Sequence, residues 1–203
     1  MYHIRQFDIE RLSFLTPKID IFMSHDWPTC VAKLGDYKQL MRYKPHFRDE
    51  IHRDDLGNPH LNSLVKKLQP KHWFAAHLHT CFPATIRHKS KDRTEFLALD
   101  KILPGRKFMQ LIEWPSLSDA DLTFKYDEEW LAITKLIHPF FPKEKRATTL
   151  SMQVKTALKR KEKVDLIRKS LKSPINVIPF QAGNGGINAQ TKKLLELLEL
   201  TSC

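Results

Sequence analysis

Residues 19–28 read IDIFMSHDWP, an apolar run that passes into a polar loop at His25. Residues 72–82 read HWFAAHLHTCF and repeat this arrangement, with an apolar run followed by His77 and His79. Both apolar runs have the length and bounded character of a short buried β-strand. The sequence therefore predicts two strands, each with histidine at the point where the strand ends.

A helix separates the two predicted strands. Asn58 is a favourable N-cap, and Pro59 suits the first helical position. The apolar residues that follow have the i, i+3, i+4, i+7 spacing of one buried helix face: Leu61, Leu64, Val65 and Leu68. A strand, a helix and a second strand form a βαβ unit with parallel strands, whose carboxyl ends meet at one ligand-binding edge. The predicted fold class is therefore α/β, with the histidines at that edge.

The three histidines at the strand ends are candidate metal ligands. In an extended chain His77 and His79 point to the same face, so two imidazoles can converge there. Imidazole nitrogen suits borderline metals, although a pair of buried, hydrogen-bonded histidines would give the same pattern. His25 occupies the equivalent position on the other strand, which favours a metal site. We interpret Asp26 as a loop cap or as a partner that orients a ligating histidine, rather than as a ligand.

The downstream half predicts mixed structure. Residues 96–103 and 107–113 flank Pro104-Gly105-Arg106, which is the pattern of a hairpin with a three-residue connection. Residues 126–137 have the pattern of a helix, and a leucine-rich final helix is expected after a cap at Asn188. We place a soft domain boundary near residues 88–94.

Charge and cysteine content restrict the partners and the compartment. The chain carries a net charge of +11, of which an excess of eight positive charges falls within residues 143–172. Such a concentration suggests a polyanionic partner, with nucleic acid as the first candidate, although a solvated helix face would also explain it. The three widely spaced cysteines indicate free thiols in the cytosol or nucleus. No apolar run approaches the roughly 20 residues of a membrane helix, so no membrane partner is expected.

The two histidine runs resemble the last two metal motifs of the RNA lariat debranching enzymes, which belong to the calcineurin-like metallophosphoesterase superfamily. The resemblance covers residues 2–137. Within this range, further matching strings lie at residues 2–5, 56–59, 96–101, 103–104 and 126–131. It implies that residues 1–90 are the C-terminal half of a metallophosphoesterase sandwich. Residues 91–203 would then be a small α+β C-terminal domain that contains the basic helical stretch.

The resemblance also implies an activity. It is the metal-dependent hydrolysis of the 2′–5′ phosphodiester at the branch points of intron lariats, in mRNA processing and intron turnover in the nucleus. His25, His77 and His79 would be metal ligands for divalent iron, zinc or manganese, and no other catalytic or cofactor-binding residue is carried over. The implied partners are branched intron RNA and splicing-associated proteins.

The sequence departs from this family in one large respect. The family's earlier ligand motifs, an Asp-x-His-like string followed by Gly-Asp and Gly-Asn-His, have no counterpart before residues 19–28. Residues 57–60 (Gly-Asn-Pro-His) look similar to the last of these, but the proline and the cap fit a helix start better. We therefore expect an N-terminally truncated relative that lacks full debranching activity alone. The alternative is a non-catalytic RNA- or protein-binding remnant of the same family.

Overall fold

The computed structural model describes residues 6–17, 19–114, 123–140, 156, 161–171, 175–177 and 188–200. The chain divides into two compact units. One unit is Thr16–Trp114, and the other combines Met1–Leu15 with Pro115–Cys203. No helix in the described part of the chain is both long enough and apolar enough to cross a bilayer.

A four-stranded sheet organises the unit Thr16–Trp114. Its strands are β1 (Ile21–Met23), β2 (His72–Ala75), β3 (Phe82–Arg87) and β4 (Arg93–Ala98), in the spatial order β1-β2-β4-β3. Strands β1, β2 and β4 are parallel, and β3 is antiparallel to β4. The predicted α/β class and the parallel pairing of the two histidine-bearing strands are confirmed. The sandwich implied by the resemblance stays a prediction.

Helix α4 (Pro59–Leu68) connects β1 to β2 and confirms the predicted βαβ unit. The Asn58 side chain accepts a hydrogen bond from the backbone amide of His60 at 3.0 Å, as expected of an N-cap. All four residues of the predicted apolar face are buried. Residues 57–60 are therefore a helix start. Before α4 lie α2 (Tyr37–Tyr43), a 3₁₀ turn (Pro45–Phe47) and α3 (Arg48–Arg53).

The two faces of the sheet differ in burial because side chains alternate along each strand. On the inner face, Trp73, Phe96 and Ala98 are fully or almost fully buried. The outer face includes Ile21 and Met23, and the Met23 side chain is 76% exposed. The core of this unit therefore lies on the inner face.

The hairpin predicted between residues 96–103 and 107–113 is wrong. Strand β4 ends at Ala98, and its hairpin partner is β3, which precedes it in the chain. Alternate residues of β3 are buried, which gives the period of two that pairs it with β4. Residues 107–113 form no strand. The domain division at residues 90 and 91 stays a prediction, and this point lies in the turn between β3 and β4.

The described part of the second unit is mainly helical, with one isolated antiparallel β-bridge between Lys125 and Asn176. Its helices are α1 (Gln6–Leu12), α5 (Glu128–Ile137), α6 (Lys161–Ser170) and α7 (Ala189–Leu197). Asp127 caps α5 and Asn188 caps α7 through hydrogen bonds from Trp130 N and Gln190 N. The two predicted helices in this region are therefore confirmed.

One cluster joins three of these helices. Phe7 of α1 packs with Ala132, Ile133 and Ile137 of α5 and with Val164 of α6. Helix α6 lies within the basic stretch, and Val164 lies on its buried face. Most of the basic stretch before residue 161 lies outside the described residues.

Candidate metal centre

His25 and His77 lie side by side at the carboxyl edge of the sheet. Each follows its strand by two residues, and the parallel hydrogen bonding continues beyond the strands toward them. Ser24 donates its backbone N–H to Phe74 O at 3.0 Å, and Ala76 donates to His25 O at 3.0 Å. The two imidazole rings lie edge to face, with their centroids 4.7 Å apart. Parallel pairing therefore brings together two histidines that are distant in sequence.

Asp26 completes a compact group of donors with these histidines. Its Oδ1 lies 3.4 Å from Nδ1 of His77, and its side chain is 15% exposed, whereas that of His77 is 52% exposed. One potential ligand atom from each of His25, Asp26 and His77 lies within 4.8 Å of the other two. Two imidazole nitrogens and a carboxylate oxygen suit zinc, iron or manganese. The donor set therefore fits a divalent cation, and the position of Asp26 suits either a ligand or an orienting partner.

His79 is not a member of this three-donor group. The extended backbone predicted for His77 and His79 is wrong, because both are left-handed, with φ of 56° and 50°. Leu78 between them is buried and anchors the turn. Left-handed conformations of residues other than glycine cost about 1–3 kcal/mol each and cluster at functional sites.

The surroundings of His79 lower its pKa. Desolvation is the largest cause, and the positive charges of Lys101 and Lys44 act in the same direction. The nearby His77 also lowers this pKa, whereas the carboxylate of Asp100 raises it. The net effect favours the neutral imidazole.

Two fully buried tryptophans hold the loops that carry the donors. Trp27 donates its indole N–H to Ala76 O at 2.8 Å, immediately before His77. Trp73 donates to the Ser24 hydroxyl at 2.8 Å, and that hydroxyl donates to the backbone oxygen of Asp26 at 2.6 Å. Because both indoles are fully buried, these hydrogen bonds connect the donor loops to the core.

Residues at the start of α4 contact the loop that follows His25. Asn58 donates its backbone N–H to Trp27 O at 2.7 Å. Gly57 has φ of +110°, and a Cβ atom there would lie 2.4 Å from Trp27 O, so only glycine fits. The Asn62 side chain of α4 donates to Thr29 Oγ1 at 2.6 Å and accepts from the backbone N–H of Cys30. The βαβ connection therefore fixes the loop that follows His25.

A polar cavity of about 330 Å³ lies beside His79, and we call it the His79 cavity. Three cationic residues contribute to its wall: Lys44, Arg106 and Lys107. They come from a helix end and from the loop after β4, so no sequence motif unites them. Sequence reasoning missed this cavity, because only the fold brings the separate segments together.

Comparison with known proteins gives consistent matches. The family model described as "Lariat debranching enzyme, C-terminal domain" matches residues 91–179. A protein of Arabidopsis thaliana named "Lariat debranching enzyme" is 44% identical over 172 residues, which cover 84% of this chain and 40% of that protein. The Homo sapiens protein of the same name is 42% identical over 141 residues, covering 66% of this chain and 26% of the relative.

A more distant match has the same name. The "Lariat debranching enzyme" of Schizosaccharomyces pombe is 29% identical over 249 residues, covering 81% of this chain and 54% of that protein. The chain thus spans well under two thirds of the length of the curated relatives it matches. The chain is similar to the lariat debranching enzymes, and its residues 91–179 match the C-terminal domain of that family.

Proposed function

We propose that this chain takes part in metal-dependent RNA lariat debranching, the hydrolysis of the 2′–5′ phosphodiester at intron branch points. One observation carries the proposal. In a relative of the lariat debranching enzymes, His25, Asp26 and His77 place three potential metal ligands within 4.8 Å of one another. These donors lie at the carboxyl ends of adjacent parallel strands, where open α/β sheets bind their ligands.

In this proposal the three donors hold divalent iron, zinc or manganese. Such an ion lowers the pKa of bound water and neutralises charge on a phosphate oxygen. The chain's own contribution is to fix the donors, through the buried indoles of Trp27 and Trp73. A role for His79 as a further ligand rests on the resemblance, since it lies outside the three-donor group.

The outer face of the sheet supports the proposed metallophosphoesterase sandwich. Ile21 and Met23 of β1 are exposed on this face. An apolar cleft of about 540 Å³ continues along it, lined in part by Phe74, Leu97 and Ile112. Contiguous exposed apolar surface of this kind marks a place where another layer packs. We propose that a second sheet covers this face.

The proposed setting is the nucleus, with branched intron RNA and splicing-associated proteins as partners. The free cysteines Cys30 and Cys81 are consistent with a reducing compartment. The net charge of +11 is consistent with an RNA partner.

A second candidate function is a non-catalytic RNA- or protein-binding role. Metallophosphoesterase chemistry of the proposed kind uses paired metals that act on both the attacking and leaving oxygens. The donor group found among the described residues supplies three side chains, which suffice for one cation. This observation favours binding without turnover by the chain alone.

Two measurements on the purified 203-residue chain separate these functions. The first is the divalent metal content after loading with Mn²⁺, Zn²⁺ or Fe²⁺ and gel filtration, compared with a His25→Ala/His77→Ala variant. The second is the hydrolysis of a synthetic 2′–5′ branched RNA. A His60→Ala variant is the control, because that side chain is exposed on α4 and takes no part in the donor group.

We expect bound metal in the wild type and in the control, and its loss in the double variant. Turnover that disappears with His25 and His77 would establish the enzyme. Metal binding with little turnover would fit a chain that contributes ligands but lacks full activity alone. Wild-type chain that retains no divalent metal would overturn the proposed metal centre, and salt-sensitive RNA binding without metal would establish the non-catalytic role.

A further inference from the structure

We infer that the His79 cavity is a binding site for a phosphodiester group of an RNA strand, with Lys44 and Lys107 as the residues that supply its positive charge. The inference rests on the proposed function for the identity of the ligand. It adds a substrate-binding site formed by residues outside the three-donor group.

The described acidic residues around the cavity do not form ion pairs with Lys44 or Lys107. Two acidic residues also line it, and both are engaged. Asp100, whose side chain is 10% exposed, pairs with Nε of Arg106 at 3.3 Å. Asp36 caps α2 by accepting from Gln39 N at 2.9 Å. In the described part of the chain, Lys44 and Lys107 form no direct ion pair, and the three cations of the lining exceed its two carboxylates by one positive charge.

The backbone holds both lysines in place. Lys44 ends α2 and donates its N–H to Leu40 O at 2.8 Å, and Leu40 is buried. Lys107 accepts through its backbone oxygen from Asp100 N at 3.0 Å, which closes the loop 101–106. These backbone contacts fix the points from which the two side chains extend, so less of the chain has to be ordered when a ligand binds.

Phe82, which also lines the cavity, is held by a close approach to Gly35. Gly35 lies against Phe82, and a Cβ atom at this glycine would be 2.6 Å from both the Phe82 ring and Pro83 O. This close approach sets α2 against the start of β3. The cavity is therefore a fixed feature of the fold.

The chemistry of the lining suits a phosphodiester. The polar lining includes the amide of Gln39 and the hydroxyls of Tyr43 and Thr80, which can donate hydrogen bonds to phosphate oxygens. The volume of about 330 Å³ is in the range of small-ligand sites and admits one phosphodiester with part of its nucleotide. His79 in the wall is two residues along the chain from His77 of the proposed metal centre.

The experiment measures RNA affinity without metal, so that it does not depend on the metal centre. A fluorescein-labelled 2′–5′ branched RNA hexamer is titrated with the 203-residue chain in EDTA, by fluorescence anisotropy, between 50 and 200 mM NaCl. The test variant is Lys44→Gln/Lys107→Gln. The control is Lys38→Gln/Lys89→Gln, which makes the same change in net charge at two exposed lysines outside the cavity. Circular dichroism and thermal unfolding establish that both variants are folded.

We expect the test variant to bind about tenfold more weakly, because charge-assisted hydrogen bonds to the phosphate oxygens are lost. The slope of log K against log salt should fall by about 0.7, the value for one phosphate contact in a single strand. The control should stay within about twofold of the wild type. Equal losses in both variants, or no loss in the test variant, would overturn the inference.

Two competitors test whether the cavity binds other anions as well as it binds RNA. Inorganic phosphate should displace the RNA only weakly, and polyglutamate should not displace it. A cavity that binds either competitor as tightly as RNA would overturn the assignment to an RNA phosphodiester. The RNA titration in EDTA and the metal measurement are independent of each other. A negative result in one does not change the interpretation of the other.

Discussion

The Nδ1 atom of His77 lies 3.4 Å from Oδ1 of Asp26, across two adjacent parallel strands. The carboxylate is largely buried, whereas the imidazole is more than half exposed. A buried carboxylate in this position can orient the imidazole or bind the same cation. Either role makes Asp26 essential to the proposed metal centre.

Replacement of Asp26 by asparagine should therefore weaken the binding of divalent metal. We expect Asp26→Asn to lower the affinity for Zn²⁺ or Mn²⁺ by about 10–100-fold, the usual cost of losing a group that orients a metal-bound histidine. Isothermal titration calorimetry measures the change. Asp20→Asn is the matched control, because Asp20 precedes β1 and its carboxylate pairs with Lys71 on the exposed surface. Equal affinities in both variants would contradict the proposed role of Asp26.

The substitution Gly57→Ala should destabilise the unit Thr16–Trp114. The new Cβ atom would meet the Trp27 carbonyl at 2.4 Å in a backbone with φ of +110°, so both steric overlap and strain arise. The strain alone costs about 1–3 kcal/mol. Chemical denaturation should show a loss of at least this size. Gly105→Ala is the control, because its φ is +73° but nothing lies within 4 Å of the added atom. A smaller loss at residue 57 than at residue 105 would refute the close-contact argument.

Removal of the α4 cap should have a moderate and local effect. Asn58→Ala leaves the His60 amide without its acceptor, which costs about 1 kcal/mol. Hydrogen exchange should become faster in the first turn of α4. The corresponding change at the cap of α5, Asp127→Ala, should accelerate exchange in α5 and leave α4 unchanged. Uniform acceleration over both helices would show that the caps act on global stability only.

The lowered pKa of His88 predicts how the free energy of unfolding depends on pH. Desolvation is the main cause that lowers its pKa, and its Nε2 lies 2.7 Å from Thr94 Oγ1, which itself donates to Pro70 O. The folded pKa lies below the unfolded value of about 6.5, so the unfolded chain binds more protons. The stabilising contribution is therefore complete above about pH 6.5 and is lost as the pH falls through the folded pKa.

The variant His88→Gln keeps a hydrogen-bond donor but cannot be protonated. Its free energy of unfolding, measured in urea at pH 7.5 and 5.5, should fall less on acidification than that of the wild type. The control is His60→Gln, at an exposed residue of α4. Its free energy of unfolding should fall on acidification as much as that of the wild type. An unchanged dependence in the residue 88 variant would show that other groups govern this range.

The sequence predicted those features that depend on local chemistry. The cap at Asn58 and the apolar spacing of α4 identified a helix between two strands, and the parallel pairing followed from that order. The alternation of buried residues in β3 was also present in the sequence, but proline at residue 83 and the polar turn concealed it. The Pro104-Gly105 turn was more conspicuous, although the residues that flank it are not paired strands.

The candidate site was predictable only in part. A histidine after each strand predicted the approach of His25 and His77, because parallel strands end at the same edge. The left-handed backbone at His77 and His79 has no signal in the residue types. The His79 cavity depends on packing between distant segments, such as Gly35 against Phe82, which no local pattern reports.

The pairing of β1 with β2 has a consequence for the order of folding. His25 and His77 meet only after the chain has closed the long loop that contains α2, α3 and α4. Closing such a loop costs entropy before any contact repays it, so this pairing is intrinsically slow. The donor group therefore forms only when this pairing forms, and we expect the uptake of a metal ion during refolding to follow closure of the sheet.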